Sequence, residues 1–350
     1  MRTVPVVSST KQPLMPCSYW RAQELISNKR ALRRFKAGIF YIQLVDRADG
    51  KVQDVAVGID PGSKREGFTV KSESTTYLNV LSNAVDWVKD SLEARREMRR
   101  TRRSRNTPYR KCRFNRAIGG VPPSTKARWQ SKLRILDILS KLYPIEFVVV
   151  EDIKAKTWKG AKKWNSSFSP LEVGKKYFYQ EIEKRGFQLD LKQGWETFEL
   201  REQLGLKKTK AKLANTFGAH NVDSWVLANW KVGGHTKPDN VSIVKMEPIR
   251  FHRRQLHRFQ FEKGGLRKNY GGTMSMGLKR GSLVKHKKCG ITYVGGTSKG
   301  KVSLHDRETG ERLTQNASIL DIVFLTFNNW RIQQFLPALK GQGFLAVNTL

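Results

Sequence analysis

Cysteine is nearly missing from this sequence: of 350 residues only Cys17, Cys112 and Cys289 are cysteine, far apart and never in a Cys-x-x-Cys pair. That scatter excludes a disulfide framework and a cysteine-based zinc ribbon. Acidic residues are also scarce, 30 Asp+Glu against 66 Lys+Arg, which leaves a formal net charge of +36. A chain so charged repels itself unless a polyanion neutralises it, so nucleic acid is the expected partner. Long apolar runs, an apolar N-terminal segment behind positive charge and lipidation motifs are all lacking, which argues against a membrane partner and for a cytoplasmic protein. What is present in quantity is apolar side chain, 39% of residues with nine Trp and seventeen Phe, enough for a folded chain rather than a basic tail. At this length several modules are expected rather than one unit.

Residues 1–54 read as a small module: a turn-like run Lys11-Gln12-Pro13-Leu14-Met15-Pro16, a helix through Trp20, Leu25 and Ile26, and a strand at Ile39-Phe40-Tyr41-Ile42. Then Val55-Ala56-Val57-Gly58-Ile59-Asp60-Pro61-Gly62 gives an apolar strand that ends on an aspartate at a Pro/Gly turn. Strands at 67–71 and 77–81 complete a three-strand meander. An arginine-dense stretch follows from Glu93 to Arg116, helical up to about Asn106 and ended by Pro108, Gly119-Gly120 and Pro122-Pro123. An amphipathic helix over 126–142 leads to a second buried strand, Ile145 to Val150, which delivers Glu151 and Asp152. Residues 153–215 are rich in lysine and aromatics, with a helix at 171–184; His220 to Ala228 reads as a helix in which His220 and Asp223 share a face. Beyond Val241, paired glycines and short alternating runs at 282–285, 291–294, 301–304 and 322–325 predict a small β-barrel with basic loops. The expected class is α/β.

Three carboxylates, Asp60, Glu151 and Asp223, thus arrive from two strand ends and a helix start. A two-metal phosphodiesterase needs such a set, because two Mg²⁺ ions roughly 4 Å apart are bridged by hard oxygen ligands. His220, one turn before Asp223, is a candidate to ligate a metal or to position or deprotonate the water. Each residue alone has a plain structural reading: Asp60 as a turn residue, Glu151-Asp152 as a strand-closing pair, His220 as an N-cap neighbour, Asp223 as a complement to the helix dipole. Their combination in so basic a chain favours a catalytic site.

The segments Val55–Gly62, Phe147–Ile153 and His220–Ala228 resemble the three split motifs of RuvC nucleases, and the arginine run between the first two resembles a bridge helix. Pro13-Leu14-Met15-Pro16 is similar to the PLMP signature of the transposon-encoded IscB/IsrB nucleases. Residues 10–325 carry the resemblance, with a departure at Ser18-Tyr19-Trp20-Arg21. IscB places an HNH domain between its second and third RuvC motifs; here residues 152–219 contain neither His nor Cys, and an HNH site needs a histidine, so the chain resembles the IsrB branch.

That resemblance implies an RNase H-like core with one Mg²⁺-dependent active site, an omega (guide) RNA, and a double-stranded DNA target carrying an adjacent motif. It implies nicking of the displaced strand by a monomer within a ribonucleoprotein in the prokaryotic cytoplasm, close to the nucleoid. The expected division is a PLMP module (1–54), RuvC segments at 55–92, 125–155 and 209–240, an arginine-rich bridge helix (93–124), a lysine- and aromatic-rich RNA-contacting insert (156–208) and a β-rich motif-reading domain (241–350). Arg95, Arg96, Arg99, Arg100, Arg102, Arg103, Arg105, Arg110, Lys111 and Arg113 are the expected RNA contacts, since guanidinium groups suit phosphate. Arg250, Arg253, Arg254, Lys279, Arg280, Lys285, Lys287 and Lys288 are assigned to DNA by family analogy. Two other readings stay open: a junction resolvase or transposase that uses the same acids without RNA, and a non-catalytic RNA-binding protein.

Overall fold

The computed structural model describes residues 3–104, 120–153, 172–249, 259–260, 265–266 and 274–335. They fall into two compact units, one from 1–51 with 244–350 and one from 52–243. Among the described residues no helix is long and apolar enough to cross a membrane.

In the first unit, β1 (Thr3–Val7), β2 (Pro13–Ser18), β3 (Ala31–Lys36) and β4 (Ile39–Leu44) form a sheet in the order β2-β1-β4-β3, with helix α1 (Tyr19–Ser27) between β2 and β3. Val4, Val6, Leu14, Ala22, Leu25, Ile42 and Leu44 make its core. The run at Lys11–Pro16 is therefore largely strand, not turn. Its two prolines have no N–H to give, yet β2 is an edge strand, and its pairing to β1 carries an irregularity between Val4 and Val6, where such residues are tolerated. The C-terminal part is an antiparallel five-stranded sheet, in spatial order Arg312–Ala317, Lys301–Asp306, Gly290–Ser298, Leu283–His286 and Ile322–Thr326. Val284, Val294, Val302 and Leu304 fill one face of it.

The second unit is a sheet clothed by helices on both faces. The meander β5 (Val55–Asp60), β6 (Arg65–Ser72) and β7 (Thr76–Asn83) is antiparallel, while β8 (Phe147–Asp152) and β9 (Gln188–Gln193) extend it parallel to β5, giving the order β7-β6-β5-β8-β9. Parallel neighbours require crossovers, which α3 (Pro123–Leu139) and α4 (Lys175–Glu183) supply, following α2 (Val88–Ser104). Trp129 of α3 stacks on Phe178 of α4 at 4.8 Å, so at least one aromatic of the expected RNA-contacting insert is core. Helices α5 (Gly194–Gln203), α6 (Phe217–His220) and α7 (Val222–Val232) complete the unit.

Strand alternation sorts the side chains between the two faces. On β6, Glu66 points toward α3, where it meets Lys132, whereas Gly67 and Thr69 face α6 and α7. Helix α7 lies unusually close to the sheet, and two glycines permit it. A Cβ on Gly58 would sit 1.8 Å from the Ser224 carbonyl oxygen, and one on Gly67 would sit 2.1 Å from that of His220. A buried polar network fixes the seating: Asn221 Nδ2 donates to the carbonyls of Phe68 and Val80 at 3.2 and 3.0 Å, and the Ser224 and Thr69 hydroxyls lie 2.9 Å apart. Lys71 caps the far end, its ammonium on the Gly233 carbonyl; burial lowers its pKa to about 8.

Candidate metal centre

Asp60 ends β5 and Glu151 lies at the end of β8. Because these strands are parallel neighbours with Ile59 opposite Val150, the two acids emerge side by side at the carboxyl ends of the strands. Asp223 enters from the first turn of α7, brought against the strand by Gly58. One ligand oxygen from each of Asp60, Glu151 and Asp223 lies within 4.8 Å of the others. Gly62 shapes the turn that follows Asp60: its N–H donates to the Asp60 carbonyl at 3.0 Å, and a Cβ there would strike the Arg65 carbonyl at 1.6 Å. Arg128 of α3 holds the same turn through the Ser63 carbonyl, 2.9 Å.

Two cations that sequence reasoning did not single out neutralise part of this charge. Lys208 Nζ bridges Asp60 Oδ2 at 3.1 Å and Asp223 Oδ2 at 2.5 Å, and Arg201 Nη1 binds Asp223 Oδ1 at 2.7 Å. The two aspartates hold the Lys208 ammonium above its ordinary pKa despite burial. Nothing in the sequence distinguishes these two among 66 basic residues. Among the described residues no cation bridges Glu151 in this way; burial first, then the negative charges of Asp60 and Asp223, push its pKa up to about 8. A set of hard carboxylate oxygens in which burial and mutual repulsion hold one member protonated near neutrality is the donor chemistry that fits divalent magnesium or manganese.

The raised Glu151 pKa sets a pH dependence. A carboxylic acid whose folded pKa lies above its unfolded value of 4.5 stabilises the fold fully below that value. It loses the contribution as pH rises through about 8. In a chelator, the thermal midpoint of the wild-type chain is therefore expected to fall between pH 5 and pH 8 more steeply than that of Glu151→Gln. Parallel melting curves for the two would show that Glu151 is ionised throughout.

Asp152, one residue on, faces the opposite side of the sheet. Its carboxylate accepts from Lys175 Nζ at 2.7 Å, Tyr179 OH at 2.9 Å and Gln193 Nε2 at 3.0 Å, and so ties α4 and β9 to β8. The structure thus separates the two neighbouring acids, one in the cluster and one in the scaffold. His220 differs from expectation. It closes the short α6 rather than opening α7, because Asn221 (φ −114°, ψ −1°) interrupts the helix where its side chain bonds the sheet. Its Nε2 faces Arg65 Nη1 at 3.3 Å; since a guanidinium only donates, this nitrogen is the acceptor. Burial and the Arg65 cation hold the imidazole below its ordinary pKa, so it is neutral at pH 7. His220 is not one of the three residues whose ligand atoms converge.

Of the expected RNA contacts, Arg95, Arg96, Arg99 and Arg100 lie exposed on α2, and Arg102 and Arg103 continue that helix; Arg105, Arg110, Lys111 and Arg113 are outside the described residues. Of the expected DNA contacts, Lys285 is exposed on the five-stranded C-terminal sheet, Lys287 and Lys288 in the turn between two of its strands, and Lys279 and Arg280 just ahead of it. Lys287 pairs there with Asp321 at 2.9 Å and Lys279 stands 4.8 Å over the Phe327 ring. Arg250, Arg253 and Arg254 are outside the described residues, as are Trp158, Trp164 and Phe168.

A family model described as "RRXRR protein" matches residues 4–163. The stretch Arg99-Arg100-Thr101-Arg102-Arg103 on α2 has the pattern that this description spells, and the match takes in Asp60 and Glu151 but not Asp223. No curated protein matches the chain. Among solved structures, RuvC of T. thermophilus in complex with a Holliday junction substrate is 15% identical, with 52% of this chain and 98% of that chain covered at a TM-score of 0.28.

Proposed function

We propose that this chain is a divalent-metal-dependent endodeoxyribonuclease with a RuvC-type, RNase H-like core, and that it acts as an RNA-guided nickase of the IsrB kind. The convergence of Asp60, Glu151 and Asp223 within 4.8 Å carries the nuclease reading. Three acids at one point in a chain of net charge +36 lose stability by repelling each other, and a bound cation removes that loss. Those three residues would hold two Mg²⁺ ions, which supply Lewis acidity to the attacking water and to the leaving 3′ oxygen. Arg201 and Lys208, already on the carboxylates, hold positive charge where a phosphodiester must approach. In this reading the neutral His220 would orient the water or take its proton only by exchanging the Arg65 bond at Nε2 for it.

The RNA-guided part is supported by the PLMP strand, the arginine-bearing α2, the match to the RRXRR family model and the lack of histidine and cysteine between Asp152 and Ala219. In this reading α2 grips an omega RNA, and the C-terminal sheet meets the duplex beside the target. One monomer then nicks the displaced strand. Two measurements test it: sequencing of RNA that copurifies with the full chain from its native locus, and strand-resolved nicking of a supercoiled plasmid with and without that RNA. The expected result is one discrete RNA species and RNA-dependent nicks confined to the strand not paired to it. Cleavage of branched DNA by the RNA-free protein at the same rate would replace the nickase by a resolvase that uses the same acids.

A further inference from the structure

Helix α5 runs along the acidic cluster from one acid to another. A Cβ on Gly194, its first residue, would lie 3.4 Å from Glu151 Oε1, and Arg201 near its end binds Asp223. Between them, Trp195 and Phe198 are 63% and 51% exposed, while Thr197 turns inward and is buried. Positions three apart share a helix face, so the indole, the phenyl ring and Arg201 form a row. The Arg201 guanidinium lies 5.1 Å over the Phe198 ring while its Nη1 holds the Asp223 carboxylate, so one side chain joins aromatic surface to acid cluster.

We propose that Trp195 and Phe198 are a stacking platform for the bases of a DNA single strand whose phosphate is presented to Asp60, Glu151 and Asp223. The inference rests on the nuclease reading above and adds the side chains that would hold the displaced strand at the cut. Leaving two large aromatic rings in water is unfavourable, and neither serves the core, which takes Thr197 from this helix. Only an unpaired strand offers free base faces; in a duplex they are buried in the stack. Stacking holds a strand whatever its sequence, as an enzyme that cuts at no fixed sequence requires. Positive charge at Arg201 and Lys208 complements the phosphates of the same strand, whereas an acidic-cluster wall would repel them without it.

The test uses the full chain carrying Asp60→Ala, irradiated with single-stranded oligodeoxynucleotides that contain 5-iodouracil at successive positions. Crosslinks are expected at Trp195 or Phe198 for bases next to one phosphate, and are expected to vanish from α5 when both rings are replaced by alanine. In the active chain, Trp195→Ala and Phe198→Ala should each lower kcat/KM on single-stranded DNA by about fivefold or more, with Trp195→Phe retaining most of it. Abasic nucleotides at the crosslinking positions should cost the wild type a similar factor and cost the double alanine variant nothing further. Crosslinks mapping away from α5, crosslinking by 5-iodouridine RNA alone, or equal abasic losses in both proteins would overturn the platform. The nuclease reading fails separately, if Asp60→Ala cuts DNA as well as the wild type; the crosslink map still decides the platform.

Discussion

Asp60→Asn is expected to lower divalent-dependent strand cleavage by about 10³-fold or more, since losing a metal ligand removes several kcal/mol of transition-state stabilisation and each ~1.4 kcal/mol is tenfold in rate. The fold should not suffer. Lys208 keeps its stronger partner Asp223, and removing one negative charge relieves Glu151, whose pKa burial, together with the charges of Asp60 and Asp223, holds up at about 8. The measurement pairs plasmid nicking over a Mg²⁺ or Mn²⁺ series with the thermal midpoint in chelator. Asp152→Asn is the control that locates the effect. That acid adjoins Glu151 in sequence but faces α4, so its loss should affect stability through Lys175 and Tyr179 and change cleavage only a few-fold. A variant of Asp60 that retains a tenth of wild-type activity, or an Asp152 variant as inactive as Asp60→Asn, contradicts this assignment.

The sequence made the acidic cluster legible because of where two of its members stand. An apolar strand that ends in Asp60, and another that ends in Glu151, are signals with a period and a boundary, and the meander that follows β5 repeats them. Helix α2 was equally readable from Glu93 to Ser104, where the described residues stop. Less was legible at His220, where helical spacing predicted a shared face with Asp223; the interruption at Asn221 comes from long-range bonds to Phe68 and Val80, which no local window contains. The PLMP strand was hidden for a similar reason, because two prolines read as a turn unless the strand is known to lie on an edge. Lys208 and Arg201 were invisible for want of contrast, two cations among 66. In the insert after Asp152, composition alone did not separate the buried Phe178 from the exposed Trp195 and Phe198.

Beneath the site, on the other face of the sheet, Glu66 and Lys132 form an ion pair at 2.6 Å with 1% and 0% of their side chains exposed. Lys132→Met is expected to destabilise the chain by about 3–5 kcal/mol, because it leaves a carboxylate buried without its cation. In a unit of this size that lowers the thermal midpoint by roughly 6–20 °C at about 2–4 °C per kcal/mol. The loss should depend on pH. Burial already raises the Glu66 pKa with Lys132 opposing it, so without the lysine the acid takes up a proton more readily. A folded pKa raised further means stability present at low pH and lost as pH rises, so the deficit should be smaller at pH 5 than at pH 8. Glu66→Gln added to Lys132→Met removes the charge altogether and should recover most of the lost midpoint, with little pH dependence remaining. Because Glu66 adjoins Gly67, which pairs with Asp60 in register, the single variant should also lower cleavage, and the double variant should restore it. Equal midpoints for the single and double variants at pH 8 would mean that the lost lysine packing over Trp129, 4.8 Å from its ring, outweighs the unpaired charge.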